Sequence, residues 1–454
     1  MPTTLAPPWL AVPADLNDLD PALWPASTRR AVTGEIGFAG RGVKALLAAH
    51  GSPLYVLDEQ EFRARARRFS TAFMGWDVYY AAKAFLCTAV ARWAAQEGLG
   101  LDVCSGNELA VALAGGYRPD RIEFHGNNKT EAELDQAVTH RVGRIVVDSF
   151  QEIDRLEAVG ARHDVVVPVV VRVTTDVRAS TDEHIVTGTT DQKFGFPIAS
   201  GEALRALLAC LDRPHLNPVG IHSHIGSQIM DVAELVEAGR RVLELAVEYR
   251  HQTGATLGEL NFGGGFGIAY TSADHPATPA ELRQGFAPVV DAARRQYGLE
   301  RVRFAIEPGR GIVGPAGVAL YTVGTVKPVE VAPGAVRTYV SVDGGMSDNI
   351  RPALYQANYT AVLANRRSSA APMLCRVVGK HCESGDIVVR DVYLPADLVP
   401  GDILAVPAAG AYTRSMASNY NHATRPAVVG VGLTDTRVLL RAETLDDLLA
   451  LDAG

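Results

Sequence analysis

The chain has 454 residues, 47% of them hydrophobic and 21% charged, with a formal net charge of −8. This is the balance of a globular protein able to bury large cores, and it lacks the basic footprint of a nucleic-acid or anionic-membrane binder. A small-molecule partner is expected, with no nucleic acid and no membrane. Residues 1–16 carry no Lys or Arg ahead of an apolar run, so no signal peptide is read there. Val165–Val173 is the most apolar run, but it contains Pro168 and Arg172 and is too short to span a bilayer. Cys87, Cys104, Cys210, Cys375 and Cys382 are odd in number and scattered, without zinc or disulfide spacing. A reduced, cytoplasmic protein with no bound metal is expected.

In chain order, the first fifty residues show no strand–helix unit and are assigned to a β-rich domain further on, with Ser52–Leu57 leading into a barrel. One unit then repeats: a short apolar strand ending in polar or glycine residues, usually succeeded by a helical pattern. The strands are Trp76–Ala82, Leu99–Val103, Arg121–Phe124, Arg144–Val147, Val165–Val173, Pro218–Ser223, Glu259–Phe262 and Arg303–Ile306. Helices are predicted over Phe85–Glu97, Ser149–Val159, Ala203–Leu211, Val232–Tyr249 and Pro279–Tyr297. Eight such strands argue for a (β/α)₈ TIM-like barrel over residues 51–310. After Arg310 the texture changes. Val318–Val326, Arg337–Val342, Leu374–Val378, Asp386–Leu394 and Asp402–Val406 are β-rich and broken by Gly, Pro and Asp, predicting a mostly antiparallel second domain over 311–454 that residues 1–50 join.

Barrel active sites lie at the carboxyl ends of the strands. Those ends carry Lys83, Asp102, His125, Asp148, Arg172, His224, Gly263–Gly265 and Glu307. Lys83 is either a rim lysine reaching solvent or a desolvated amine suited to a Schiff base with a carbonyl cofactor. Asn261-Phe262-Gly263-Gly264-Gly265-Phe266-Gly267 is either a tight loop or a phosphate cradle of bare backbone N–H groups. His222 and His224 share one face of a strand. They suit a metal, though no Cys or carboxylate cluster is nearby in sequence, or hydrogen bonding, or stacking of an imidazole on a flat cofactor. Glu307 either pairs with Arg310 or keeps a cofactor's pyridine nitrogen protonated.

Together these segments resemble the pyridoxal phosphate (PLP)-dependent decarboxylases of the alanine racemase-like fold type, and within them the diaminopimelate decarboxylase family. The resemblance runs from about Ser52 to Val429. It rests on Ala82-Lys83-Ala84, Asp102-Val103-Cys104-Ser105-Gly106, His125-Gly126-Asn127-Asn128-Lys129, His224-Ile225-Gly226-Ser227-Gln228, Gly263-Gly264-Gly265 and Glu307-Pro308-Gly309-Arg310. In the same order come Asp343-Gly344-Gly345-Met346, Arg351-Pro352-Ala353-Leu354-Tyr355, Cys382-Glu383-Ser384 and Gly410-Ala411-Tyr412.

The resemblance implies that Lys83 holds pyridoxal 5'-phosphate, that His224 stacks on its ring and that Glu307 pairs with its pyridine nitrogen. Ser227, Gly264, Gly265, Gly309 and Arg310 would surround the phosphate, Tyr412 would reach phosphate and substrate, and Asp102 would support the lysine and cofactor. Arg310, Arg351, Tyr355, Glu383 and Tyr412 would hold an amino acid with a distal ammonium and carboxylate. Cys382 would return the proton from across the interface of a homodimer with shared active sites. The implied reaction is decarboxylation of meso-2,6-diaminopimelate to L-lysine and CO2 through an external aldimine, the last step of lysine biosynthesis. The alternative is a related decarboxylase acting on ornithine, arginine or lysine, against which Glu383 after Cys382 and the paired Arg310 and Arg351 both argue. The chain departs from the family pattern at Ala82, Phe85, Lys380-His381 and Asn261, the last standing where Asp commonly precedes the glycines.

Overall fold

The computed structural model describes residues 5–177 and 193–454, which form two compact units. One comprises Arg65–Gly267 and Pro276–Gly311; the other comprises the residues up to Ala64, Ile268–His275 and Ile312–Gly454.

The first unit is the barrel. Its strands are β1 Asp77–Ala81, β2 Gly100–Val103, β3 Ile122–Phe124, β4 Arg144–Val147, β5 Val167–Thr174, β6 Leu216–Ser223, β7 Glu259–Asn261 and β8 Arg303–Ile306. Each pairs in parallel with the next, and β8 pairs with β1 to close the ring. Parallel strands covered on both faces read as continuous apolar runs, and β5, Val-Pro-Val-Val-Val-Arg-Val-Thr, is buried throughout except at Pro168. Helices begin where a side chain satisfies a free N–H: Thr130 and Thr278 form capping boxes with Glu133 and Glu281, and Ser105 and Ser149 cap two more. Between barrel and helices, Trp76, Phe262, Phe286 and Phe304 pack with ring centroids 5.2–5.8 Å apart. Inside, Arg144 at the start of β4 meets Glu259 at the start of β7 at 2.6 Å, both buried. This ion pair occupies the amino-terminal end of the barrel, leaving the carboxyl end for chemistry.

The second unit is built on the long strand Gly317–Ala332, which pairs antiparallel with Leu54–Asp58, Ile403–Val406 and Ala335–Val342. The pairings of Ala335–Val342 with Pro372–Val378 and of Ala427–Val431 with Leu54–Asp58 are parallel, so the mostly antiparallel sheet is mixed. Leu54, Val56, Val318, Leu320, Ala405, Val429 and Val431 form its core with Trp24, Ile36 and Phe38 from the amino-terminal segment. The expectation that Ser52–Leu57 leads into the barrel is corrected here: Leu54–Asp58 is a central strand of the second sheet. All five of its residues are buried, which an apolar run reveals without showing its partner. Among the described residues, no helix is long and apolar enough to cross a membrane.

Candidate active site

Strand residues two apart face the same side, and this parity turns a set of barrel side chains inward. Glu123 and His125, His222 and His224, and Glu259 and Asn261 each lie two apart around β3, β6 and β7. Glu307 comes directly after β8, and the fold brings His125, His222 and Asn261 against it, whereas Glu259 stays at the amino-terminal end with Arg144. His125 Nε2 lies 3.2 Å from Glu307 Oε1, and His222 Nε2 lies 3.2 Å from Oε2. Asn261 Nδ2 donates to Glu307 Oε1 at 2.8 Å, and the Glu307 backbone N–H donates to the Gly263 carbonyl at 2.9 Å. Burial opposes a charge on Glu307, but His222 and His125 outweigh it and hold the carboxyl well below the usual range. Burial also opposes a charge on His125, yet Asp102 and Glu307 push its pKa up to about 9, whereas burial takes His222 down to about 4. Glu307 thus faces two imidazoles at equal distance, and of the two His125 is the one whose surroundings favour the proton.

This corrects one reading of the sequence. No carboxylate lies near His222 along the chain, but the fold supplies Glu307, and His125, His222 and Glu307 have ligand atoms within 4.8 Å of one another. A proton on His125 suits a donor to the carboxylate better than a metal ligand.

Gly263 and Gly265 adopt φ of +68° and +103°, in the region that favours glycine. A Cβ on Gly264 would collide with the Glu307 carbonyl oxygen, so the loop tolerates no side chain there. The Gly264 N–H donates to His224 Nδ1 at 3.3 Å, which leaves His224 its Nε2 proton and orients the ring. Burial, with Lys83 and Arg172 acting in the same sense, keeps that imidazole neutral. Arg310 is buried and donates to Ser227 Oγ at 2.8 Å. A Cβ on Gly309 would meet Ala81 Cβ at 2.9 Å, so this glycine permits close approach of the Lys83 segment.

Lys83 itself is exposed, between buried Ala82 and Ala84. Of the two alternatives read from the sequence, this exposure matches the rim lysine, set in the short helical turn Ala82–Ala84 directly after β1. Asp102 is buried; burial raises its carboxyl to about 6 against the opposing pull of His125.

Glu123 and the Lys129–Glu152 pair were not singled out from the sequence. Lys129 is buried with its ammonium 2.6 Å from Glu152 Oε1, donating also to the carbonyls of Gly126 at 2.6 Å and Val146 at 2.7 Å. The parity of Glu123 with His125 was the available signal for the first; nothing local marks the second.

The remaining expected residues belong to the second unit. Arg351 is buried, its guanidinium 4.6 Å from the Tyr270 ring centre and donating to Tyr359 Oη at 2.5 Å. Tyr355 and Tyr412 are half-buried, and Tyr412 has φ of +57°, a strained backbone of the kind that gathers at functional positions. Cys382 and Glu383 are exposed in a turn whose flanks are tied by Asp386, which accepts from the N–H groups of Met346 at 2.6 Å and His381 at 2.8 Å. Cys87, Cys210 and Cys375 are buried as expected of small apolar side chains, but Cys104 is exposed.

A carboxylate at one strand end, an oriented neutral imidazole at another, a glycine loop with no room for side chains, the Arg310–Ser227 pair and an exposed lysine make a set that fits pyridoxal phosphate. Barrel and site together define a pyridoxal-dependent decarboxylase, and residues 59–314 match the family model "Pyridoxal-dependent decarboxylase, pyridoxal binding domain". The diaminopimelate decarboxylase of Mycobacterium tuberculosis is 48% identical over 96% of this chain and 99% of its own, and that of Bacillus subtilis 45% identical over 90% and 94%. The crystal structure of diaminopimelate decarboxylase from M. jannaschii in complex with L-lysine superposes with a TM-score of 0.88 at 30% identity, covering 95% of this chain and 99% of that one. The chain belongs to the diaminopimelate decarboxylase family.

Proposed function

We propose that this chain removes one carboxylate of meso-2,6-diaminopimelate as CO2 and releases L-lysine, with pyridoxal 5'-phosphate carried on Lys83. The observation that carries the reading is the ionised Glu307 within a barrel whose neighbouring strand ends bear Lys83, His224 and the Gly263–Gly265 loop. When bound, the cofactor supplies a protonated pyridine ring that accepts the electron pair left by CO2.

The chain's own residues bind, orient and protonate. Glu307 keeps the proton on the ring nitrogen, because its charge is sustained by donors from β3, β6 and β7. His224 presents its flat face to the ring, fixed by the Gly264 N–H. Gly264, Gly265, Gly309, Ser227 and Arg310 hold the phosphate, with Tyr412 reaching it and the substrate, and Asp102 supports the lysine. Arg351, Tyr355 and Glu383 read the distal end of the amino acid, and Arg310 completes the set. Arginine suits a carboxylate because its planar fork makes two parallel hydrogen bonds. Cys382 returns a proton to the substrate's α-carbon, and its exposure in this chain accords with service across a homodimer interface. The enzyme works in the cytoplasm.

The test is CO2 release from meso-diaminopimelate, L-lysine and L-ornithine. The last two lack the second carboxylate and leave a charged donor unpaired, which costs roughly 1–3 kcal/mol or more, so a preference of about tenfold to a few hundredfold is expected. Arg351→Lys should erode it. Faster release from L-lysine or L-ornithine overturns the substrate assignment.

A further inference from the structure

We propose that Asn261 is a positioning residue that joins the ring carboxylate Glu307 directly to the phosphate loop, that a second, non-catalytic carboxyl, Glu123, holds its amide in place, and that Asn261 and Glu123 act as one unit. The proposal rests on the reading of Glu307 as the partner of the pyridine nitrogen.

Three of the four hydrogen-bonding positions of the Asn261 amide are used, both N–H groups among them. Nδ2 donates to Glu307 Oε1 at 2.8 Å and to Glu123 Oε2 at 3.0 Å, while Oδ1 accepts from the Gly263 N–H at 2.9 Å. A flipped amide would aim its oxygen at two carboxyl groups and its hydrogens at an N–H, so the orientation is determined by its partners. Asn261 is buried with no exposed surface, as is Glu123, and Glu123 Oε1 has no hydrogen-bond partner among the described residues. The groups acting on Glu123 are His125 just past the end of its own strand at 3.9 Å, Glu307 beyond β8, and Glu259 and Arg144 from β7 and β4. Burial holds the Glu123 carboxyl well above its ordinary range.

An aspartate at 261 would still accept from Gly263, but its other oxygen would face Glu307 and Glu123. Three carboxyl groups would then share one dry site, and a proton would have to enter it. A proton taken by Glu307 weakens the counter-ion of the ring nitrogen. Changing Glu123 to an amide at the same time lets the new amide at 123 donate to the new carboxylate at 261, which reduces three facing carboxyl groups to two and relieves part of the load on Glu307.

The experiment compares N261D, E123Q and E123Q/N261D in the full chain by three readouts. These are the affinity of cofactor-free protein for PLP, the pH midpoint of the bound cofactor's visible absorbance, and borohydride trapping at Lys83. The parent must bind and trap PLP; if it does not, the reading of the site fails and not this proposal. With the parent competent, N261D should bind PLP about tenfold or more weakly and move the absorbance midpoint by about one pH unit or more. E123Q alone should stay within about threefold of the parent in affinity, and the double variant should bind PLP at least about threefold more tightly than N261D. Should N261D fail to fold, folding of the double variant supports the unit, and failure of the double to fold overturns it. A parent-like N261D, or a double variant no better than N261D, also overturns it.

Discussion

Replacing Lys129 with Met removes the cation that neutralises Glu152, on the helix that follows β4. The ammonium makes three contacts at 2.6–2.7 Å, to Glu152 Oε1 and the carbonyls of Gly126 and Val146, and both side chains are at most 1% exposed. Methionine fills the stem's volume but supplies no donor, so the buried Val146 carbonyl and the part-buried Gly126 carbonyl each lose a partner and a buried carboxyl loses its counter-ion. Breaking such a pair from one side costs about 3–5 kcal/mol. Gly126 is bonded directly to His125, so the loss falls on the segment that carries the proton facing Glu307. Native-state hydrogen exchange of the β3 and β4 amides reads this local stability without requiring the two units to unfold together. Where exchange proceeds through opening of this segment, about 3–5 kcal/mol corresponds to acceleration of about 100-fold to a few thousandfold. Lys129→Met combined with Glu152→Leu should recover at least half of the loss, because neither charge is then left buried. Protection within about tenfold of the parent in Lys129→Met alone would refute the argument.

Lys83→Ala should abolish both the visible absorbance of bound cofactor and covalent trapping by borohydride, and trapping at another lysine would count against the assignment. His125, raised to about 9 from an ordinary 6.5, contributes stability that is complete below about pH 6.5 and lost as pH rises through 9. Unfolding of the cofactor-free protein should therefore show a loss of at most about 3 kcal/mol between pH 7 and 10, and His125→Gln should flatten that dependence; an equally steep decline in the variant refutes it. Cys382→Ala should slow turnover far more than it weakens PLP binding. Mixing it with Lys83→Ala chains should restore partial activity through hybrid dimers, and no recovery after confirmed subunit exchange would defeat the shared site.

The barrel was legible because eight short apolar runs alternate with helical periodicity, and fully covered parallel strands leave that signature in the chain. Arg144–Val147 and Arg303–Ile306 begin and end where the pattern puts them. The strand-end chemistry was legible for the same reason: Lys83, His224 and Glu307 stand immediately past such runs. Leu54–Asp58 was visible as an apolar segment but not as a strand of the other sheet, since its partners lie more than 250 residues away at Gly317–Leu320 and Ala427–Val431. Asn261 was visible as a departure from the family pattern, yet its meaning depends on Glu123, 138 residues earlier. The sequence by itself determined which residue types stand at the barrel's carboxyl end, because periodicity and local motifs are properties of neighbours along the chain. Only the tertiary structure decided which of them are charged. The lowered carboxyl of Glu307 and the raised imidazole of His125 owe those shifts to burial and to partners on other strands, and those exist only once the barrel has closed.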